Sequence, residues 1–286
     1  MRFVAFQSPG GGRRDRMMGV LIEGRVAPLT DIDSFYDDIP HWRAIAEKIA
    51  SGELDLAALT LVPPVPRDAK VVCAAINYAK HGEEAKLDAP GFPNLFARWS
   101  AELVADGTPI PVPAAEPDGL DWEVELAAIV GATLTDVAPR VAELGVFGYT
   151  VANDISGRTS QLQAATLRTG QWALGKNVEK SGAISAFITT ADAVDVSNLR
   201  LETIVNGEVM QSGTTADMIF SVGELIAFTS RHVTLRPGDV ILTGTPDGVG
   251  MARKPPVFMK PGATVTASVE GLGSISNSIV DSRQRG

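Results

Sequence analysis

Leu120-Asp121-Trp122-Glu123-Val124-Glu125-Leu126-Ala127-Ala128-Ile129-Val130-Gly131 is the stretch around which the rest of the chain can be read. Trp122, Val124 and Leu126 alternate with Glu123 and Glu125, and a period of two is that of a strand, whose successive side chains point to opposite faces. Both glutamates therefore share one face; on a helix, residues two apart would point to nearly opposite sides. The apolar partners and the run Leu126 to Val130 predict that the other face, and the later half of the strand, lie inside the protein. Two carboxylates about 4 Å apart repel by roughly 4 kcal/mol at an effective dielectric near 20, a cost that proton uptake or a cation must offset. The sharper expectation is a metal site. The plainer one is an edge strand with a solvated glutamate face.

The totals narrow the class. A chain of 286 residues with 45% apolar residues can bury a substantial core, as one large domain or a small one plus a larger one. No uncharged stretch is long enough to span a bilayer, and no apolar segment near Met1 resembles a signal peptide, so no membrane partner is expected. Cys73 is the single cysteine, which excludes an internal disulfide and a cysteine metal cluster. It sits in the apolar run Val71-Val72-Cys73-Ala74-Ala75-Ile76 and is expected as a small buried hydrophobe. The expected compartment is the cytoplasm. A net charge of −9 without a basic stripe argues against nucleic acid as a partner. It leaves room for a small anionic substrate, provided that a bound cation and a few arginines or lysines make a local positive patch.

Outward from the opening stretch, the chain is strand-rich. Arg2 to Phe6 and Gly19 to Pro28 read as strands, the second folded at Glu23-Gly24. An acidic stretch, Asp31 to Asp38, precedes a helix predicted from about Pro40 to Ser51, where Trp42, Ile45, Ala46 and Ile49 line one side. Leu61-Val-Pro-Pro-Val-Pro66 cannot be helical and reads as an extended linker, dividing a small domain of residues 1–66 from a larger one of 67–286. Val146 to Ala152 is a strand ending near Asp154, the candidate third carboxylate. His81 and Glu84, three apart, would meet on one helical turn, where the carboxylate orients the imidazole and raises its basicity as a general base requires. Gln171 to Asn177 is a turn presenting Lys176. Ala183 to Thr190 is a strand, Asn206-Gly207 closes a hairpin, and Ser221-Val-Gly-Glu224 opens a capped helix. No Walker loop or Gly-x-Gly-x-x-Gly before a helix appears, so a nucleotide-binding fold is disfavoured.

Five motifs in this order, Asn77-Tyr78-x-x-His81-x-x-Glu84, Asp121-Trp-Glu123-Val-Glu125-Leu, Gly148-Tyr-Thr-Val-Ala-Asn-Asp154-x-Ser156-x-Arg158-x-x-Gln161, Gln171-Trp-x-x-Gly-Lys176 and Gly238-Asp-Val-Ile-Leu-Thr-Gly-Thr245-Pro246, resemble those of the fumarylacetoacetate hydrolase family, over about residues 67 to 280. The resemblance implies an α+β, mainly β fold: a mixed β-sheet roll carrying the catalytic site, with a small α/β amino-terminal domain of the kind seen in bacterial members. It implies a divalent cation held by Glu123, Glu125 and Asp154. An all-oxygen ligand set suits a hard ion, Mg²⁺ first with Mn²⁺ or Ca²⁺ as alternatives, and disfavours zinc. It also implies His81 and Glu84 as the base pair and Arg158, Gln161, Lys176 and Thr245 as substrate contacts, with Tyr78 and Arg98 beside them. A homodimer is implied by the same resemblance. Many members carry an acid where this chain has Thr159 and a lysine where it has Arg98, departures that bear on the substrate rather than the metal.

The expected reaction is hydrolysis of a carbon–carbon bond in an acylpyruvate-like β-diketo acid such as fumarylpyruvate, through a metal-stabilised pyruvate enolate, with His81 deprotonating water and Lys176 holding the oxyanion. The alternatives sharing that enolate are decarboxylation of oxaloacetate and isomerisation of 2-hydroxyhepta-2,4-diene-1,7-dioate. A non-catalytic protein in which the ion only stabilises the fold is a remote third.

Overall fold

A computed structural model describes residues 1–8, 10–12, 15–84, 86, 88–163 and 170–284. Its backbone is mainly β, and among the described residues the strands form two sheets, one of twelve strands and one of five. The class expected from the sequence, α+β and mainly β with mixed pairing, is the one observed. Antiparallel ladders dominate, but Val240–Leu242 runs parallel to Val71–Ala75, and Gly273–Asp281 parallel to Ile110–Val112.

The opening stretch lies at the middle of the larger sheet. Val124–Val130 pairs antiparallel with Val146–Asp154 on one side and with Val240–Leu242 on the other. It is no edge strand: all seven of its residues are buried. Its two faces meet different cores, as alternation dictates. Val124, Leu126, Ala128 and Val130 point with Trp122 into a core shared with the five-stranded sheet (Leu201, Val265, Ala267, Ile275) and with the helix Val222–Ser230. On the glutamate side, Ala127 and Ile129 pack with Phe3, Phe35 and Phe147.

The first sixty residues are stitched into the same sheet. Arg2–Gln7 pairs with Arg16–Ile22 and also with Phe187–Thr190, which in turn pairs with Val146–Asp154. The hairpin to Arg25–Asp31 turns at Glu23 and Gly24, both with positive φ, the primed geometry that matches strand twist. The extended Leu61 to Pro66 segment has no exposed residue: Leu61 bridges to Phe6, Val62 N donates to Ala5 O at 3.2 Å, and Pro64 and Val65 are buried.

Several elements differ from the sequence reading. The acidic stretch is a helix, Ile32–Asp37, because Asp31 caps it through Ser34 N and Ile32, Phe35 and Tyr36 bury one side. The next helix is Ile39–Ala46, capped by Asp38, and stops well short of Ser51. Ala183 to Thr190 is two strands, Gly182–Ile184 and Phe187–Thr190. The Asn206-Gly207 hairpin and the Ser221/Glu224 capping box form as expected.

A candidate metal centre at the middle of the sheet

Register brings the three acids together. Asn153 pairs with Val124 and Ala152 with Glu125, and Asp154 N donates to Glu123 O at 2.8 Å, so Asp154 stands opposite Glu123. Side chains directly opposite across an antiparallel pair share a face. Glu123, Glu125 and Asp154 each place a carboxylate oxygen within 4.8 Å of the others, and all three are buried.

The surroundings show how this burial is tolerated, and where it is not. Lys176 Nζ donates to Glu123 Oε2 and Asp154 Oδ2, each at 2.6 Å. Arg158 reaches Glu123 Oε1 at 2.5 Å, Asp121 Oδ2 at 2.8 Å and Gln161 Oε1 at 2.6 Å. Arg98 pairs with Asp154 and donates to Ser181 Oγ at 2.6 Å and Ile155 O at 3.2 Å. Desolvation raises the Glu123 carboxyl, but Lys176 and Arg158 outweigh it and hold the group down at about 2. Glu125 has no such help. Its carboxylate accepts from Gly244 N at 2.7 Å and forms no ion pair among the described residues. Burial, then repulsion from Asp154 and Glu123, pushes its proton affinity well up.

Charge accounting makes the same point. Asp121, Glu123, Glu125 and Asp154 face Arg98, Arg158 and Lys176, four negative groups against three positive, and the surplus falls on Glu125. A buried carboxylate of this kind is stable only when protonated or when a cation shares it. Three hard oxygen donors converging on one point fit a divalent ion of the magnesium, manganese or calcium type. Glu123, Glu125 and Asp154 are the residues that would hold it.

A cavity of about 250 Å³ opens over the triad. Of the predicted residues, His81, Glu123, Glu125, Arg158, Gln161, Lys176 and Thr245 line it, whereas Glu84, Asp154, Tyr78 and Arg98 do not. His81 and Glu84 sit on the short helix Ala79–Glu84, with Nδ1 3.4 Å from Glu84 Oε2. Gly248 N steadies Glu84 by donating to both carboxylate oxygens, at 3.1 and 3.2 Å. Tyr78 is buried, and burial followed by the Glu125 charge drives its phenol far above its ordinary range. Cys73 is buried as expected, its thiol pushed up by burial and then by Asp154 and Glu125.

Three supporting groups escaped the sequence reading. Asp121 accepts from Trp122 N, Gly250 N and Met251 N besides Arg158, tying the strand to the loop that places Met251 on the cavity. The period of two already put Asp121 on the glutamate face, so that signal was available. Gln211 accepts from Val124 N at 3.1 Å and donates to Thr245 Oγ1 at 2.8 Å. Gly244, at φ +92, turns its N–H towards Glu125, and a Cβ there would meet Asn77 Cβ at 2.9 Å. Gln211 belongs to none of the five motifs, and Gly244, though inside the Gly238 to Pro246 motif, has no side chain to announce its role, because each acts through a fold contact.

Known proteins place this architecture. Residues 70–280 match the family described as fumarylacetoacetate (FAA) hydrolase C-terminal. A mitochondrial oxaloacetate tautomerase of Bos taurus is 37% identical over 98% of this chain and 92% of its own. Among solved structures, 2-hydroxyhepta-2,4-diene-1,7-dioate isomerase from Mycobacterium marinum superposes with a TM-score of 0.75 at 30% identity, covering 99% of each chain. Maleylpyruvate hydrolase from Sphingobium sp. SYK-6, in complex with manganese(II) and pyruvate, gives 0.79 at 26% identity over 98% of this chain and 99% of that one. The chain belongs to the fumarylacetoacetate hydrolase family of enzymes.

Proposed function

We propose that this enzyme hydrolyses a carbon–carbon bond in an acylpyruvate-type β-diketo acid and depends on a divalent cation, Mg²⁺ or Mn²⁺, to do so. The observation that carries the reading is the buried triad short of one positive charge, two of whose carboxylates, Glu123 and Glu125, line the same cavity as His81, itself paired with Glu84. The bound ion would supply a Lewis acid for the 2-oxo acid end of the substrate and for the enolate that departs.

The protein's own groups supply the rest. Glu84, fixed by Gly248 N, accepts a hydrogen bond from His81 Nδ1–H and leaves Nε2 with the lone pair; this tautomer is assigned from the partner. His81 then takes a proton from water as its oxygen bonds to the distal acyl carbonyl. The bond between C3 and C4 breaks, its electron pair goes to C3, and the imidazolium returns the proton there, releasing a carboxylic acid and pyruvate. Lys176 uses two of its three N–H donors on Glu123 and Asp154, and the third is available for the carbonyl oxygen as charge develops. Arg158 has N–H groups beyond its three bonds for the substrate carboxylate.

A second reading is favoured by the tautomerase relative, 37% identical over almost the whole chain. In it His81 only moves a proton to and from C3 of oxaloacetate, and no water is consumed. One assay set separates the two. Acetylpyruvate is offered with Mn²⁺, with and without EDTA, and pyruvate release is followed; enol-oxaloacetate is offered in parallel and its ultraviolet absorbance is followed. Pyruvate release that stops with EDTA is the expected result. Loss of the enol signal without any acylpyruvate turnover would establish the second reading in its place.

A further inference from the structure

The cavity is chemically divided. Its floor carries Glu123, Glu125, Arg158 and Lys176, whereas the rest of its wall includes Ile76, Phe96, Leu162, Trp172 and Met251. Phe96 and Trp172 are in ring contact, with centroids 5.2 Å apart at 59°, and Lys176 Nζ lies 5.1 Å from the Phe96 centroid, so this pair begins where the charged floor ends. Leu162 is 62% exposed, a large apolar side chain left in water at the rim. Ile76 holds a φ of +56, a conformation β-branched residues rarely adopt, and it is kept in the wall despite that strain. Among the described residues, the lysines and arginines that line the cavity are Arg158 and Lys176, both engaged by buried carboxylates at its charged end, and none belongs to the apolar wall.

We propose that Phe96, Trp172, Leu162 and Met251 form a subsite for an uncharged, apolar acyl substituent at the far end of the substrate. The proposal rests on the reading that a 2-oxo acid is held at the triad. The spare donors of Arg158 and Lys176 serve the 2-oxo acid end, so a terminal carboxylate against Phe96, Trp172, Leu162 and Met251 would lose water without an ionic partner among the described residues of that wall, which is costly, while an alkyl or aryl group would cover Leu162 and the two rings. The occupant is small, since the cavity lies below the ~300–1,000 Å³ of drug-sized sites. The subsite therefore selects acylpyruvates with alkyl or aryl ends over those ending in a second acid.

Binding tests this without turnover. The full-length protein loaded with Mn²⁺ is titrated calorimetrically with oxalate, 2-oxobutanoate, 2-oxopentanoate, 2-oxohexanoate and 2-oxoglutarate. The last matches 2-oxopentanoate in length but ends in a carboxylate. Each added methylene is expected to tighten binding about fourfold, the equivalent of about 0.8 kcal/mol. 2-Oxoglutarate is expected to bind at least about tenfold more weakly than 2-oxopentanoate. Leu162→Lys, an exchange at an exposed site, is expected to reverse that preference. Equal or tighter binding of 2-oxoglutarate by the unaltered protein, or no gain along the alkyl series, overturns the apolar subsite while leaving the 2-oxo acid site intact. Absence of metal-dependent binding for every ligand, oxalate included, overturns the reading of the site and the subsite with it.

Discussion

The two ends of the Asp121 to Val130 segment are equally buried and opposite in chemistry. At the later end Ala127 and Ile129 meet phenylalanines and need nothing further. At the earlier end the same face carries Asp121, Glu123 and Glu125, and the sheet surrounds them with Arg98, Arg158, Lys176 and backbone N–H groups. The difference shows that burial alone does not set the behaviour of a carboxylate. Glu123 and Glu125 lie two residues apart at nearly equal depth, yet one is held at about 2 by two cations and the other is driven up for want of one. The first glutamate belongs to a completed ion-pair network, and the second lacks a counter-charge of the kind that a divalent ion would supply.

The same substitution at the two glutamates should then act in opposite directions on the metal-free protein. Activity is the larger effect: either Glu→Gln change is expected to lower kcat/KM by about 10³-fold or more, because the Lewis acid and its several kcal/mol are lost. Stability separates them. Glu123→Gln leaves Lys176 and Arg158 each short of a buried partner and should cost about 3–5 kcal/mol in EDTA, read as the urea midpoint. Glu125→Gln replaces a buried carboxyl that, without a cation, must either take up a proton or hold an uncompensated charge, and above the ordinary glutamate range it should raise the stability of the metal-free protein by about 1–3 kcal/mol. Destabilisation by Glu125→Gln in EDTA would break the comparison.

His81→Ala comes next in size. General-base catalysis contributes about 10²–10⁴-fold, so a loss in that range is expected for acylpyruvate hydrolysis. Manganese affinity should hold, because the imidazole is not one of the three carboxylates that would hold the ion.

The titration of the metal-free protein sharpens the contrast further. A glutamate in the unfolded chain titrates near ~4.3. Glu125, raised in the fold, contributes stability that is full below that value and is lost as the pH rises through its folded value. Glu123, lowered to about 2, contributes stability that is present above ~4.3 and is lost as the pH falls towards 2. Metal-free stability should therefore decline as the pH is raised above ~4.3, and Glu125→Gln should remove that decline. Saturating Mn²⁺ should remove it as well, since the ion takes the place of the proton. Urea midpoints measured across the range in EDTA and in Mn²⁺ check both.

Much of this was legible in the chain. Alternation over Trp122 to Leu126 put both glutamates on one face, the apolar run before Asp154 placed a third acid at a strand end, and the spacing of His81 and Glu84 matched one helical turn. What alternation could not give was position within the sheet. A period of two fits an edge strand as well as a central one, and only the pairing with Val146–Asp154 and Val240–Leu242 decides between them. Arg98 was expected among the substrate contacts; its donors reach Asp154, Ile155 O and Ser181, partners 56 or more residues away that no local pattern announces. The Asp31 to Asp38 helix was missed because acidic residues dominate its composition, whereas its formation rests on the Asp31 cap and on Phe35 and Tyr36 reaching the core.

The apolar end of the segment provides the smallest effect and the control for the rest. Ile129→Val removes one methylene from a fully buried side chain and should cost about 0.5–1.5 kcal/mol, through lost transfer energy and a small cavity. That cost should be the same in EDTA and in Mn²⁺ and flat across the pH range in which Glu125 titrates, because no charge is involved. kcat/KM should stay within about twofold of the unaltered enzyme. If Ile129→Val instead lowered manganese affinity about tenfold, the two ends would be mechanically coupled along the strand. The opposite signs expected at Glu123 and Glu125 would then report strand distortion as much as charge.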